Sequence, residues 1–491
     1  MVKLRRQPID RLAQALMVLL ALVIGGMLLL GGPAASKVRN FSWKDDQIGA
    51  DDTSFLLTFS RPMDQASVEE NLTIEPPLPG RFSWAGRRMA YTLNLPAPYG
   101  NEFLVSLPQA SDRFSGPGAK FVPFEATFQS RARAFAYIGV DGTEKGRLML
   151  YNLSNQSKTA LTPESWVVMD YKPYSQGDRI LVAAIKQGQT NQQEQQLYTV
   201  TTGLGINPQE SSGQIETLLD NSDYQNLKFD LSPDGQTIVV QRVGRDNPAD
   251  FGPWVITQGK QPRKLETEPG GDFIIAPDSQ SLLLQQGQGT AIIALNDAQN
   301  EQSGDTLDFL PQYGLVMDVA NNGSAAAMIS FNQDDPEKRY TQTLFWVSNQ
   351  GDEKPLIDVT GSILDAQFDP TNELLFCLTS QLLDSDTYQV QPSISAINVK
   401  TGDVDTLYTL KPQPSAQMSL APDGLALLFD EKVPSANADN SVVLDNGVAI
   451  ATAKLWLLPL YQTSDERLNK RPQSIEPQAF PFAGLNPVWI P

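Results

Sequence analysis

One hairpin, repeated, limits the folds open to this chain more than anything else in it. In Asn226–Val240, NLKFDLSPDGQTIVV, an alternating strand carries Leu227, Phe229 and Leu231 into Ser232-Pro233-Asp234-Gly235, and Thr237–Val240 follows as a second strand. Pro233 presets φ, the Asp234 carboxylate can accept from onward backbone, and Gly235 takes the positive φ that closes a tight reversal. Copies occur at VMDYKP (Val168–Pro173), DFIIAP (Asp272–Pro277), VMDVAN (Val316–Asn321), LDAQFDP (Leu364–Pro370) and QMSLAP (Gln417–Pro422). The chain ends on NPVWIP (Asn486–Pro491), a strand that stops where the turn would begin.

The anchors Pro173, Pro233, Pro277, Asn321, Pro370, Pro422 and Pro491 stand 60, 44, 44, 49, 52 and 69 residues apart. A four-stranded propeller blade takes about 40–45 residues, and the excess is loop. Each copy also supplies a third strand, among them LMLYNL (Leu148–Leu153), WVIT (Trp254–Thr257), LFWV (Leu344–Val347) and LWLLPL (Leu455–Leu460). The first set, Phe135–Thr162, lacks an inner strand, and the terminal hexapeptide lacks everything else. Pairing the two completes a seventh blade and removes the raw sheet edges that invite aggregation.

The S-P-D-G turn, the T-I-V-V after it and the TALT tail (Thr159–Thr162) resemble the WD-like repeats of TolB-like periplasmic propellers, in register over residues 134–491. The turns at Ala320-Asn321-Asn322-Gly323 and Asp369-Pro370-Thr371-Asn372 depart from the pattern. The resemblance implies a ring closed by strands from both chain ends and a protein partner in an envelope assembly. A pair of β-sandwiches, or six or eight blades, are the alternatives.

Upstream, residues 38–130 read as short strands broken by Pro and Gly, with alternation in Phe55-Leu56-Leu57-Thr58-Phe59 and Phe103-Leu104-Val105-Ser106-Leu107. About 90 residues so patterned suit an antiparallel sandwich. FSRPMD (Phe59–Asp64), SVEENLTI (Ser67–Ile74), GRFSWAGRRMAYTL (Gly80–Leu93) and FEATFQ (Phe124–Gln129) resemble the SbsA-type bacterial Ig-like domain. That resemblance implies a spacer with no active site of its own. The fold class expected is therefore all-β: an N-terminal transmembrane helix, an Ig-like β-sandwich and a seven-bladed β-propeller.

The first 11 residues hold Lys3, Arg5, Arg6 and Arg11 against Asp10, and Leu12–Leu30 carries no charge. A basic flank stays in the cytoplasm, so an anchor over 12–32 places the rest outside it. Cleavage after Ala34-Ala35-Ser36 and secretion is the competing expectation, although secretory apolar stretches are usually about 7–15 residues long.

Function is bounded mostly by what is missing. With no histidine, the chain has no Ser-His-Asp or Cys-His pair and no His-based zinc site. Cys377, the single cysteine, sits inside LLFCLTS and reads as a packing thiol. A net charge of −19 repels phosphate backbones and disfavours nucleic acid. No G-x-S-x-G, P-loop or dinucleotide fingerprint is present, and no carboxylate run has calcium-loop spacing. No cofactor, metal or catalytic residue is assigned, and the oligomeric state is open.

The insertions between second and third strands fall in one class of connection, which places them on one face. They make a candidate partner-binding rim of Arg245, Asp246, Asp334, Asp335, Arg339, Tyr340, Asp384, Asp386 and Tyr388. The expected function is a membrane-anchored, extracytoplasmic scaffold docking a protein or a cell-envelope polymer on that rim. A carboxylate-dependent glycan hydrolase or lyase with its site in the propeller channel is one alternative. A sensor for a small ligand or cation is another.

Overall fold

The computed structural model describes the chain apart from residues 1–7, 31–34, 115–119, 187–193, 206–210, 296–305, 334, 384–388, 414, 435–441 and 444–448. Two units emerge. One comprises Met1–Ile48, Thr53–Asn94 and Glu102–Gln129; the other comprises Gly49–Asp52, Leu95–Asn101 and Ser130–Pro491.

The first unit opens with a helix, Pro8–Leu30. Side chains are described for its residues 12–26, of which Leu12, Leu16, Met17, Leu19 and Leu22 are exposed. Among the described residues no helix is long and apolar enough to cross a membrane. Residues 31 and 32 of the expected anchor lie outside the described residues.

Two four-stranded antiparallel sheets follow. Val38–Phe41, Ser54–Phe59, Arg88–Leu93 and Gly80–Ala85 make one; Gln47–Ile48, Phe124–Ser130, Glu102–Leu107 and Thr73–Glu75 make the other. Alternation puts Phe55, Leu57 and Phe59 inside, as the pleat requires. Aromatics join the two faces: Trp43 lies 5.3 Å from Phe55 of one sheet and 5.1 Å from Phe128 of the other. A short helix, Gln65–Asn71, is new relative to the strand pattern. Asp64 caps it by accepting the Ser67 N–H at 3.1 Å.

The second unit is built from the hairpin. Among the described residues it holds three four-stranded antiparallel sheets and two larger ones, of seven and eight strands, which two shared strands divide so that first to seventh sheets can be followed in chain order, consistent with a β-propeller. The second to fourth are simple meanders beginning at Trp166–Pro173, Tyr224–Leu231 and Phe273–Ile275. Two long strands each serve two sheets. Glu353–Phe368 is the outer strand of the fifth and, past Gly361, the inner strand of the sixth. Gln478–Trp489 is the outer strand of the seventh, and its Gly484–Trp489 half is the inner strand of the first.

There the chain closes. Leu485 faces Ile138, and Trp489 faces Phe135, so the terminal residues complete the first sheet. The hexapeptide is not an isolated strand, however; it continues the last strand of the seventh sheet without a break. Some expected loops are also strand. Ala426–Pro434 pairs with Ala449–Pro459, so the third strand of the seventh sheet begins well before the Leu455–Leu460 stretch expected from the sequence.

The turn chemistry is realised at Ser232-Pro233-Asp234-Gly235. The Gly235 N–H donates to the Ser232 carbonyl oxygen at 2.8 Å, and the Asp234 carboxylate accepts the Gln236 N–H at 2.9 Å. Gly235 takes φ +71°. In the degenerate copy Asn372 takes φ +59° in place of glycine.

Trp489 is the keystone of the closure: 3% exposed, it meets Phe135 at 5.9 Å edge-on. Trp489→Ala is expected to lower the denaturant-unfolding free energy by about 3–5 kcal/mol. A loss below about 0.5 kcal/mol, the range of neutral surface changes, would mean the ring does not depend on that strand.

Candidate functional site

The inner strands carry polar residues where an apolar strand has no local need for them. Three positions before each anchor stand Asp170, Asp230, Ile274, Asp318, Gln367, Ser419 and Val488. At four junctions this side chain accepts the backbone N–H of the next inner strand. Asp230 takes Ile275 at 2.7 Å, Asp318 takes Phe368 at 2.8 Å, Gln367 takes Leu420 at 2.8 Å, and Ser419 takes Trp489 at 3.1 Å. Bulges precede three of these positions, between Val168 and Asp170, Val316 and Asp318, and Leu485 and Val488. A bulge re-aims the next side chain.

Charge gathers on and beside these inner strands. The Lys172 ammonium, from the second sheet, pairs with Asp230 of the third. Asp318 is pushed up to about 6, first by burial; the Phe368 and Val319 N–H groups and the Lys172 charge pull it back. Asp365 rises to about 7, again first by burial, with the Asp318 charge adding to it and a Gln367 hydrogen bond at 2.7 Å opposing it. Both keep some surface but lie deep inside, where surrounding protein displaces bulk water and disfavours the ionised form. In the seventh sheet Asp430 and Lys432 form a buried pair at 3.3 Å. Asp430 also accepts the Gln417 N–H at 2.9 Å and the Asn486 N–H at 2.8 Å.

Chemically, the acids act mainly as acceptors for backbone. A cavity of about 270 Å³ nearby is lined by Lys228, Asp272, Met317 and Leu364, and neither Asp318 nor Asp365 is part of its wall. Lys228 Nζ and Asp272 are paired at 2.6 Å in it. Among the described residues no group of three or more Cys, Asp or Glu could hold a metal ion. Cys377 is fully buried, its thiol pushed up by that burial and by the Asp365 charge.

The rim residues separate into different situations. Arg245 donates to the Asn221 carbonyl oxygen at 2.6 Å and pairs with Glu194 at 2.9 Å, tying the third sheet to the second. Asp246 is exposed. Asp335, Arg339 and Tyr340 share one exposed loop between Ala325–Ser330 and Thr341–Ser348; Tyr340 is 82% exposed. Asp335 is partly engaged, accepting the Glu337 N–H at 2.9 Å. Asp334, Asp384, Asp386 and Tyr388 lie outside the described residues. Arg242, three residues before Arg245, lies in strand Thr237–Gly244. It is 6% exposed and sandwiched 4.5 Å from the Tyr224 ring and 5.1 Å from Trp254.

Sequence reasoning missed the axial residues. The available signal was a polar side chain at one fixed distance before the anchor, in strands that are otherwise apolar.

No family model matches the chain, and no curated relative matches it. Similar solved structures include TolB from Acinetobacter baumannii, 10% identical over 73% of this chain and 67% of that one, at a TM-score of 0.38. An oligogalacturonate lyase from Vibrio parahaemolyticus is 10% identical over 68% of this chain and 92% of that one, at 0.42. Prolyl oligopeptidase B from Galerina marginata is 10% identical over 72% of this chain and 52% of that one, at 0.43. At scores this low the functional reading rests on this chain's own residues.

The raised acids give a pH signature. An acid whose pKa is raised by folding leaves the folded state holding more protons between its unfolded value, near 4, and its folded value. Stability falls as pH climbs through that window, and for Asp365 the window ends at about 7. Asp365→Asn removes the ionisation but keeps an acceptor for Gln367. Its melting temperature is expected to gain on the parent from pH 4 to pH 8; a gap that stays constant or narrows would contradict the burial argument.

Proposed function

We propose that this chain is a non-catalytic, extracytoplasmic binding scaffold, anchored through its first helix and carrying a seven-bladed propeller behind an Ig-like sandwich. Its partner is a protein, docked on the face formed by the connections between second and third strands. The observation that carries this reading is the loop of residues 332–341. There Tyr340, 82% exposed, stands beside Arg339, Glu337 and Asp335, all exposed. An aromatic ring and a guanidinium held in water are the residue types that supply most of the energy when a protein interface buries them.

The axial acids support the same reading. Oxygens of Asp230, Asp318 and Asp430 accept backbone N–H groups, which is a structural employment. The exposed apolar side chains of Leu12, Leu16, Met17, Leu19 and Leu22 favour an anchor, as does the basic N-terminal flank in the sequence. TolB-like propellers and SbsA-type Ig-like domains remain resemblances in the sequence motifs.

A second reading has one observation in its favour. Asp318 and Asp365, both held near neutrality, are the kind of carboxylate pair that channel-based glycan cleavage would use.

Crosslinking and pull-down from a membrane fraction tests the scaffold. Retention of the chain in an alkali-washed membrane pellet is the outcome expected of an anchor. A protein captured by the parent chain is expected to be lost with Arg339→Ala and Tyr340→Ala together and kept with Asp365→Asn. Equal capture by the loop variant would remove the loop from the account, and glycan cleavage abolished by Asp365→Asn would replace the scaffold with the second reading.

A further inference from the structure

Between its first and second sheets the ring carries a cavity of about 350 Å³. One wall belongs to the third and fourth strands of the first sheet, Leu148–Asn152 and Ser157–Ala160. There Leu150 pairs with Thr159 and Asn152 with Ser157, which sets all four side chains on one face. The other wall is the connection between Gln196–Thr201 and Ile215–Leu219, the third and fourth strands of the second sheet. In an antiparallel meander such connections leave the sheet at the opposite end from those between second and third strands. The cavity therefore lies away from the 332–341 loop.

The wall is polar but uncharged. Of its ten lining residues none is Asp, Glu, Lys or Arg, in a chain whose net charge is −19. A charged ligand would enter without a counter-charge. Eight of the ten are Asn, Ser, Thr or Gly, and the apolar remainder is Leu150 and Leu204. A wholly apolar ligand would strip water from those amides and hydroxyls without replacing its hydrogen bonds.

Several of these groups have hydrogen-bonding capacity to spare. Asn152 is 8% exposed; its Oδ1 accepts the Ser154 N–H at 2.9 Å, and among the described residues its Nδ2 meets no acceptor. A buried amide donor lining a cavity calls for an oxygen from outside the protein. Asn155 repeats the arrangement, its Oδ1 taken by the Ser157 N–H at 3.0 Å and the Ser157 hydroxyl at 2.6 Å. The hydroxyls of Thr159 and Ser212 also have no partner among the described residues. The facing connection is fixed in place. Thr202 Oγ1 donates to the Gly177 carbonyl oxygen at 2.6 Å and accepts the Leu204 N–H at 3.1 Å, while Thr201 Oγ1 donates to the Ser211 carbonyl oxygen at 2.6 Å. A wall held in this way loses little freedom when a ligand arrives.

We propose that this cavity is a binding site for a neutral saccharide. Sugar hydroxyls both donate and accept, so one ring can meet the amide donors of Asn152 and Asn155 and the hydroxyls of Thr159 and Ser212. Its C–H face then rests on Leu150 and Leu204. The volume falls within the range of small-molecule sites, about 300–1,000 Å³. The site is independent of the 332–341 loop and of the axial acids.

Titration calorimetry of the full chain tests it, with glucose, galactose, mannose and N-acetylglucosamine as probes and glucuronate as their charged counterpart. Saturable binding of at least one neutral sugar is expected, with glucuronate weaker than the best of them by about tenfold or more. Thr159→Val, which removes one hydroxyl at constant shape, and Asn152→Leu, which removes the amide, are each expected to weaken that sugar by about tenfold. Asp365→Asn is expected to leave its affinity unchanged. If Asn152→Leu does not fold, Thr159→Val carries the variant arm. No saturable binding by any of the four sugars, glucuronate bound as tightly as the best of them, or full affinity in Thr159→Val would overturn the proposal. So would loss of binding in Asp365→Asn, which would move the sugar to the axis.

Discussion

At four junctions of the ring a backbone N–H on the inner strand points past its own sheet, and the preceding sheet supplies the oxygen that meets it. Asp230, Asp318, Gln367 and Ser419 do this from the same register position. A buried donor without a partner costs about 1–3 kcal/mol, so each contact removes a penalty as well as adding a bond. Hydrophobic packing between blades is non-directional and would tolerate slippage. These bonds are directional, and they fix how far each inner strand advances relative to the next.

That constraint explains where the charge goes. Carboxylates lie near the axis because the backbone needs acceptors there, and depth then raises Asp318 and Asp365 toward neutrality. It also explains the unevenness of the ring. Val488 and Ile274 hold the same register position without an acceptor, and beside Val488 the Tyr171 Oη donates across the junction to the Ala136 carbonyl oxygen instead. The exposed Tyr340 and Arg339 belong to no such network. That is why the functional proposal looks to the loop face rather than the axis.

Much of the architecture was legible from the turn residues. Pro, Asp and Gly at fixed offsets name a reversal whatever the tertiary context, and six spacings of one blade length plus loop allow few alternatives. The closing strand was legible too, since a first set without an inner strand needs one. The continuation of Gln478–Trp489 through two sheets was not, because nothing local in AFPFAGLNP marks the crossing. Arg245 read as a rim cation; its partner Glu194, like the Tyr224 and Trp254 rings around nearby Arg242, is brought to it only by folding. The axial acceptors escaped notice because their partners are backbone groups one sheet away, which sequence spacing does not reveal.

Ser419 offers the most direct test of the closed ring. It sits in the seventh sheet and accepts the Trp489 N–H of the first, so Ser419→Ala deletes one oxygen from the closing junction. Equilibrium unfolding of that variant should show a loss of about 1–3 kcal/mol, the cost of a buried donor left without its acceptor. A stability indistinguishable from the parent chain would contradict the claim that these bonds hold the ring shut.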